Sequence, residues 1–268
     1  MQVFIEAVKV CLSFIASLYA SWSDYKTREV SDNVWILFAP PAFALTFAEL
    51  FLFDFSALSL FGLCFVLTAA FAIILFYAGG FGGADAKAST CFALALPFYP
   101  EKLFSPCSGE VSPIMQMFFP FTVFSNAIIL AALTSVYFLV YNLTWWWKTG
   151  KSLFEDEQRS ESVGKKILVL LTGYKVSFWR VKEKWHIYPL EDVEKTDGGI
   201  KRKLVIFPRD ESRSVIIERL EEAVKNGEIP EKVWATPGLP ILIFITVGLV
   251  VALLYGDMVW SMVRFFLG

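Results

Sequence analysis

The chain has 268 residues, of which 56% are hydrophobic, 27 are Phe and only 19% are charged. Soluble domains carry about 25% charged residues, so the composition argues against an ordinary soluble globule, and a net charge of −2 offers no basic surface to a nucleic acid. The charge is also unevenly placed: eighteen of the 24 Lys and Arg residues fall between Lys148 and Lys232, as expected of a polar domain set into a membrane body.

In chain order, apolar stretches of the roughly 20 residues that a membrane helix needs occur at 3–22, 34–53, 57–79, 117–144 and 238–258. The first carries Glu6 and Lys9 where a cleavable signal would have a clean basic start, so it reads as a retained helix. A sixth stretch, 88–99, is short and fits either a re-entrant segment or a span extended to about Asp85–Phe98. Trp145, Trp146 and Trp147 fit an interfacial aromatic belt.

The polar segment 148–235 follows. Ile167–Leu171, Tyr174–Val181 and Lys203–Phe207 read as strands, and Ser212 as the cap of a helix running to about Asn226 and closed by Gly227. The run Lys201-Arg202-Lys203 reads as a solvated turn. The predicted fold class is an all-α polytopic membrane protein of about six transmembrane helices, with a small α+β cytoplasmic domain inserted before the last helix. The expected divisions are a membrane catalytic core of five helices at 1–147, a soluble cytoplasmic domain at 148–235 and a C-terminal transmembrane helix at 236–268.

Basic residues resist translocation, which orients the chain. The loop 23–33 holds Lys26 and Arg28, and the polar segment opens with Lys148 and Lys151, so both are expected in the cytoplasm. An even number of spans must then separate them, which requires 88–99 to cross. Whatever that segment does, two longer spans separate Asp24 from the loop at 80–87, so Asp24 and Asp85 are expected on one membrane face.

Ten carboxylates lie outside the polar segment. Of the four expected at the inner face (Asp24, Glu29, Asp32 and Asp85), Asp24 and Asp85 abut helix ends most closely. Carboxylates at membrane depth are costly and are functional candidates by default. Asp85 follows Gly79-Gly80-Phe81-Gly82-Gly83, a run that should end or unwind a helix and let another backbone approach closely, although it also fits a plain flexible turn. Two aspartates brought together can hydrolyse a peptide bond without a metal: one draws a proton from a bound water while the other, protonated, polarises the carbonyl, and their repulsion keeps a single proton on the pair. No zinc-binding H-E-x-x-H, no G-x-S-x-G and no Walker loop competes. Cys11, Cys64, Cys91 and Cys107 are scattered and form no C-x-x-C, and His186 is alone, so neither a metal nor a cofactor is expected.

The string Gly82-Gly83-Ala84-Asp85-Ala86-Lys87 resembles the glycine-aspartate motif of the type IV prepilin peptidase family, and more closely its archaeal branch, the preflagellin (prearchaellin) peptidases. Asp24-Tyr25-Lys26-Thr27-Arg28-Glu29-Val30 resembles the first-aspartate motif, D-x-K-x-R, and Trp234-Ala235-Thr236-Pro237-Gly238-Leu239-Pro240 also looks like the archaeal branch. Two departures stand out: Ala84 occupies the place of a glycine, and Ser31 and Asp32 stand where a proline is usual. The resemblance covers about 5–145 and 232–258. It implies an aspartic endopeptidase in the plasma membrane that removes short basic leaders from preflagellin or prepilin-like precursors, with the lipid bilayer and those precursors as partners. It maps catalysis to Asp24 and Asp85. Lys26, Lys87, Gly82 and Gly83 become candidates for supporting or substrate-binding roles, with a snorkelling lysine as the plainer reading of each Lys. The N-methylation of many bacterial members is not carried over, because the paired cysteines that accompany it are absent.

The principal competing reading is a proton- or cation-coupled transporter using intramembrane carboxylates, which would favour broken helices near mid-membrane. A presenilin-like protease, usually built on nine spans, and a catalytically dead scaffold are further alternatives.

Overall fold

The computed structural model describes residues 1–196, 199–205 and 210–267. Its helices, in chain order, are α1 (Gln2–Thr27), α2 (Asp32–Phe53), α3 (Leu58–Tyr77), α4 (Gly83–Ala95), α5 (Pro113–Met117), α6 (Phe119–Thr149), α7 (Val163–Thr172), α8 (Phe178–Glu183), α9 (Asp210–Lys225), α10 (Ile241–Leu254) and α11 (Met258–Leu267). Five strands lie between α7 and α10: β1 (Tyr174–Ser177), β2 (Ile187–Pro189), β3 (Glu191–Thr196), β4 (Gly199–Leu204) and β5 (Lys232–Pro237). The chain divides into two compact units, Met1–Ala131 with Pro240–Gly268, and Ala132–Leu239.

In the first unit α4 is the hub, packed against α1, α2, α3 and α10. Its sequence, GADAKASTCFALA, is dominated by small side chains that let neighbouring backbones come close. Ala88, Cys91, Phe92 and Ala95 are buried against a core that includes Ala20, Trp35, Phe38, Ala42, Leu242, Ile245 and Leu249. The far end of α4 is tied by hydrogen bonds to its neighbours. Thr46 Oγ1 donates to the Ala95 carbonyl at 3.0 Å, Phe119 N–H to the Pro97 carbonyl at 3.0 Å, and Tyr99 OH to the Leu253 carbonyl at 2.9 Å. Groups buried away from water need such partners, more so in lipid. Gly248 lets α10 touch α6: a Cβ there would lie 2.5 Å from the Val123 carbonyl oxygen.

By length and apolarity α1, α2, α3 with the short turn before it, and α6 qualify as membrane spans; α10 and α11 add a fifth if that pair, bent by 60°, counts as one. Length alone therefore does not yield the expected six. A helix rises 1.5 Å per residue, so α4 is about 20 Å long against a hydrocarbon core of about 30 Å.

The expected last span at 238–258 is broken. α10 stops at Leu254, and Gly256, with φ of 108°, turns the chain into α11. Asn126 holds the bend by donating to the Gly256 carbonyl at 2.8 Å and accepting from Met258 N–H at 3.0 Å. Asp257 caps α11, accepting from Trp260 N–H at 3.0 Å and from Ser112 Oγ at 2.6 Å. Lys9 of α1, which stood out in an apolar run, pairs with Glu49 of α2, and both side chains are buried.

The second unit holds a three-stranded antiparallel sheet in the order β1-β5-β2 and a β3-β4 hairpin. Its core gathers Val176, Phe178, Val181, Ile187, Leu220 and Val233. Three strand expectations are corrected. Ile167–Leu171 is helical, within α7. It is an apolar run without alternation, which periodicity cannot assign to strand or helix, and Ser162 caps the helix start by accepting from Lys165 N–H. Tyr174–Val181 keeps strand geometry only to Ser177, after which α8 buries Phe178 and Val181. The strand expected at Lys203–Phe207 begins earlier, at Gly199, and its last two residues lie outside the described ones. The helix expected from Ser212 already includes Asp210.

Lys201-Arg202-Lys203 is not a solvated turn but part of β4. Strand alternation points Arg202 inward, where its guanidinium donates to both oxygens of buried Glu191 at 3.0 and 3.1 Å. Burial pushes the Glu191 carboxyl up from its ordinary range, and the Arg202 guanidinium opposes that shift.

Candidate active site

Asp24 occupies the last turn of α1 and is half-buried. The helix ends four residues on, where Arg28 adopts the left-handed conformation (φ of 60°) and its N–H bonds the Asp24 carbonyl at 3.0 Å. A non-glycine residue there carries strain, and side chains clamp the turn that holds it. Ser23 Oγ and Thr27 Oγ1 both donate to the Glu29 carbonyl, at 2.7 and 3.0 Å. Ser31 then caps α2 by accepting from Asn33 N–H.

Asp85 sits in the first turn of α4 and is 8% exposed. Its Oδ2 accepts the N–H of Gly82, the residue that precedes the helix, at 2.9 Å. This is the returning half of a capping box, and it fixes the rotamer. Oδ1 takes no hydrogen bond from the described residues. Gly79, with φ of 76°, ends α3, and Phe81 then turns inward, packing edge-on against Phe124 at 5.3 Å. Gly82 and Gly83 leave bare, exposed backbone directly before the carboxylate.

The fold brings the two aspartates to one end of the helical unit, near enough for the charge of Asp24 to act on Asp85. Here the end of α1 meets the starts of α4 and α10. The N–H of Leu242, in the first turn of α10, is directed at the Asp24 carboxylate, and the Arg28 guanidinium also acts on it. A helix start presents unpaired N–H groups and a positive dipole end, which suits a carboxylate. Hydroxyl groups hold α10 in that register: Ser21 Oγ donates to the Leu242 carbonyl at 2.9 Å and lies 2.7 Å from Thr246 Oγ1, which donates to the Ser17 carbonyl at 3.2 Å. Sequence reasoning missed Leu242, Ser21 and Thr246. The signal was present in Pro237 and Pro240, which stand just ahead of an apolar run and mark a helix start.

The supporting candidates part company. Lys26 and Lys87 stand two residues after their aspartates, and residues at that spacing do not share a helix face. Lys26 is exposed. Lys87 is brought to Asp32, not Asp85, and its ammonium pairs with that carboxylate to tie the starts of α4 and α2 together. Glu29 is exposed on the turn. No group of three or more His, Cys, Asp or Glu residues suited to a metal ion occurs among the described residues.

A sequence model of the Type IV leader peptidase family matches residues 11–140. A second, for the Archaeal Peptidase A24 C-terminus Type II, matches 165–258. Among curated relatives, a preflagellin peptidase of Methanococcus maripaludis is 22% identical over 93% of this chain and 96% of its own. One of Methanococcus voltae is 24% identical over 96% and 98%. An uncharacterized protein of Methanocaldococcus jannaschii is 26% identical over 86% of each chain.

The geometry separates the two glycines before Asp85. A Cβ at Gly82 would stand 3.1 Å from Asp85 Oδ2, whereas one at Gly83 would meet only Phe76, at 3.8 Å. Gly82→Ala should therefore displace the carboxylate and lower leader cleavage about tenfold, while Gly83→Ala stays within about twofold of the parent. Steady-state cleavage assays on both variants, with thermal unfolding as the fold control, check this; equal losses would contradict it. With both family models matching and the relatives aligned over most of their length, the chain belongs to the type IV leader peptidase family.

Proposed function

We propose that this protein is a membrane-embedded aspartic endopeptidase. In this reading it removes short basic leaders from preflagellin-type or type IV prepilin-like precursors at the cytoplasmic face, with Asp24 and Asp85 as its catalytic pair. The observation that carries the reading is the convergence of two carboxylates from different helices at one end of the bundle, beside exposed glycine backbone. The relatives named preflagellin peptidase support the substrate class.

One proton is shared by the pair. The ionised aspartate takes a proton from a water molecule, whose oxygen attacks the scissile carbonyl carbon while the protonated aspartate gives its proton to the carbonyl oxygen. Collapse of the tetrahedral intermediate breaks the C–N bond. The proton taken from water passes to the leaving nitrogen and a hydroxyl proton of the intermediate returns to the aspartate pair, leaving a carboxylate on the leader, an amine on the mature chain and one proton again shared by the pair. The apolar helix behind such a leader would lie in the bilayer, which puts the scissile bond at the interface where the helix ends holding both aspartates would lie. A transporter would instead need a carboxylate site near mid-membrane, and both aspartates stand at helix ends.

The orientation rests on the charge pattern, with 23–33 and the polar segment on the cytoplasmic side and six spans in all. In this topology α4 is the short span. Its bonds to Thr46 and, just beyond its end, from Tyr99 to Leu253 support a path running the length of α10, shielded from lipid by its neighbours. We also assign 148–235 as the cytoplasmic domain and 1–147 and 236–268 as the membrane parts.

Incubation of the purified protein with a preflagellin precursor, followed by mass spectrometry, should give a single cut directly after the basic leader. Cuts scattered along the chain, or none, would contradict the reading. Topology is tested by single cysteines in a cysteine-free background. Thr27→Cys, Ala86→Cys and Glu194→Cys should label only from the cytoplasm, and Ser56→Cys only from outside. Labelling of Thr27→Cys and Ala86→Cys from opposite sides would end the proposal. Labelling of Glu194→Cys from outside would remove only the crossing by α4.

A further inference from the structure

The helix α7 is apolar on two faces, and the protein covers only one. On the inner face Val169 is 1% exposed and packs with Leu190, Leu204 and Trp234, flanked by Leu153, Phe154 and Leu170. On the outer face Val163 is 69%, Ile167 50% and Leu168 41% exposed. Bare apolar ridges on a surface usually mark a contact.

The attachment of α7 indicates what covers it. Asn142, 2% exposed within α6, donates to the carbonyls of Leu170 at 3.0 Å and Gly173 at 2.8 Å, so it grips the end of α7. Gly173 itself lies tight against the sheet, where a Cβ would fall 2.4 Å from Leu190 Cδ1 and 2.8 Å from the Ala235 carbonyl oxygen. Tyr174 stacks on Phe138 with centroids 5.9 Å apart, and Lys175 lies over the Trp145 ring at 5.3 Å. The rise of a helix puts Asn142 roughly 35 Å along α6 from Phe119, just past a hydrocarbon core of about 30 Å. The exposed Tyr137, Tyr141, Trp146 and Trp147 around it match an interfacial aromatic belt. The end of α7 is thus held to α6 beside this aromatic belt. Lys165 and Lys166, turned toward Glu161 and the Arg159 carbonyl, leave the outer ridge free of charge.

We propose that α7 is an interfacial anchor: Val163, Ile167 and Leu168 insert into the bilayer beside the end of α6, and so fix the height of the polar unit at the lipid surface. Interfacial helices of this kind rest at the boundary between headgroups and acyl chains. The partner is lipid, not protein. The inference stands apart from the peptidase reading, because its readout does not involve cleavage.

The test places a benzophenone side chain at Ile167 or Leu168, or at exposed Glu218 as control, in the otherwise native full chain in phosphatidylcholine nanodiscs. After illumination, mass spectrometry should find lipid adducts at positions 167 and 168 at least about fivefold above the control. A lipid yield equal to the control, or adducts to protein alone, whether a second copy or another chain, would overturn the proposal.

Discussion

A helix of about 20 Å cannot cover a hydrocarbon core of about 30 Å alone; if α4 crosses as proposed, it does so enclosed by its neighbours. Four longer or parallel helices surround it, its small side chains let them close in, and Thr46, Phe119 and Tyr99 satisfy polar groups at its far end. The near end inherits the consequence. The carboxylate in the first turn of α4 is buried where the end of α1 and the start of α10 meet. A longer, lipid-facing helix would have carried Asp85 out toward water.

The same economy governs Asp24. The end of α1 is a strained left-handed turn at Arg28, held by Ser23 and Thr27. Opposite it, the hydroxyls of Ser21 and Thr246 hold α10 with the Leu242 N–H toward the aspartate. Polar side chains inside this bundle therefore have two duties. Lys9 with Glu49, and Asn126 with Asp257, secure helix contacts and a bend. Those near Asp24 and Asp85 position carboxylates.

Much of this was legible in the residues. The long apolar runs gave α1, α2, α3 and α6, and the glycine run before Asp85 marked the end of one helix and the start of another. The placement of Asp24 and Asp85 at one end of the bundle followed from counting spans between them. What escaped reading depended on contacts distant in sequence. Gly256 looks like any glycine in an apolar run until Asn126 is seen holding both sides of the bend. Ile167–Leu171 reads equally as strand or helix until Ser162 is seen capping a helix whose inner face buries Val169. Arg202 looks solvated among lysines until β3 brings Glu191 diagonally across from it. Lys87 was paired in sequence with Asp85, but its true neighbour, Asp32, comes from another helix.

In the proposed mechanism Asp24 and Asp85 act as one unit on one water molecule. Groups that act as a unit lose their effect together. The most direct measurement is the single-turnover cleavage rate of Asp24→Asn, Asp85→Asn and the double variant, each checked for membrane insertion and thermal unfolding. Each single substitution should lower the rate by at least about a thousandfold, and the double variant should be scarcely slower than either. A single variant cleaving at near the parental rate, or losses that multiply in the double variant, would contradict the mechanism.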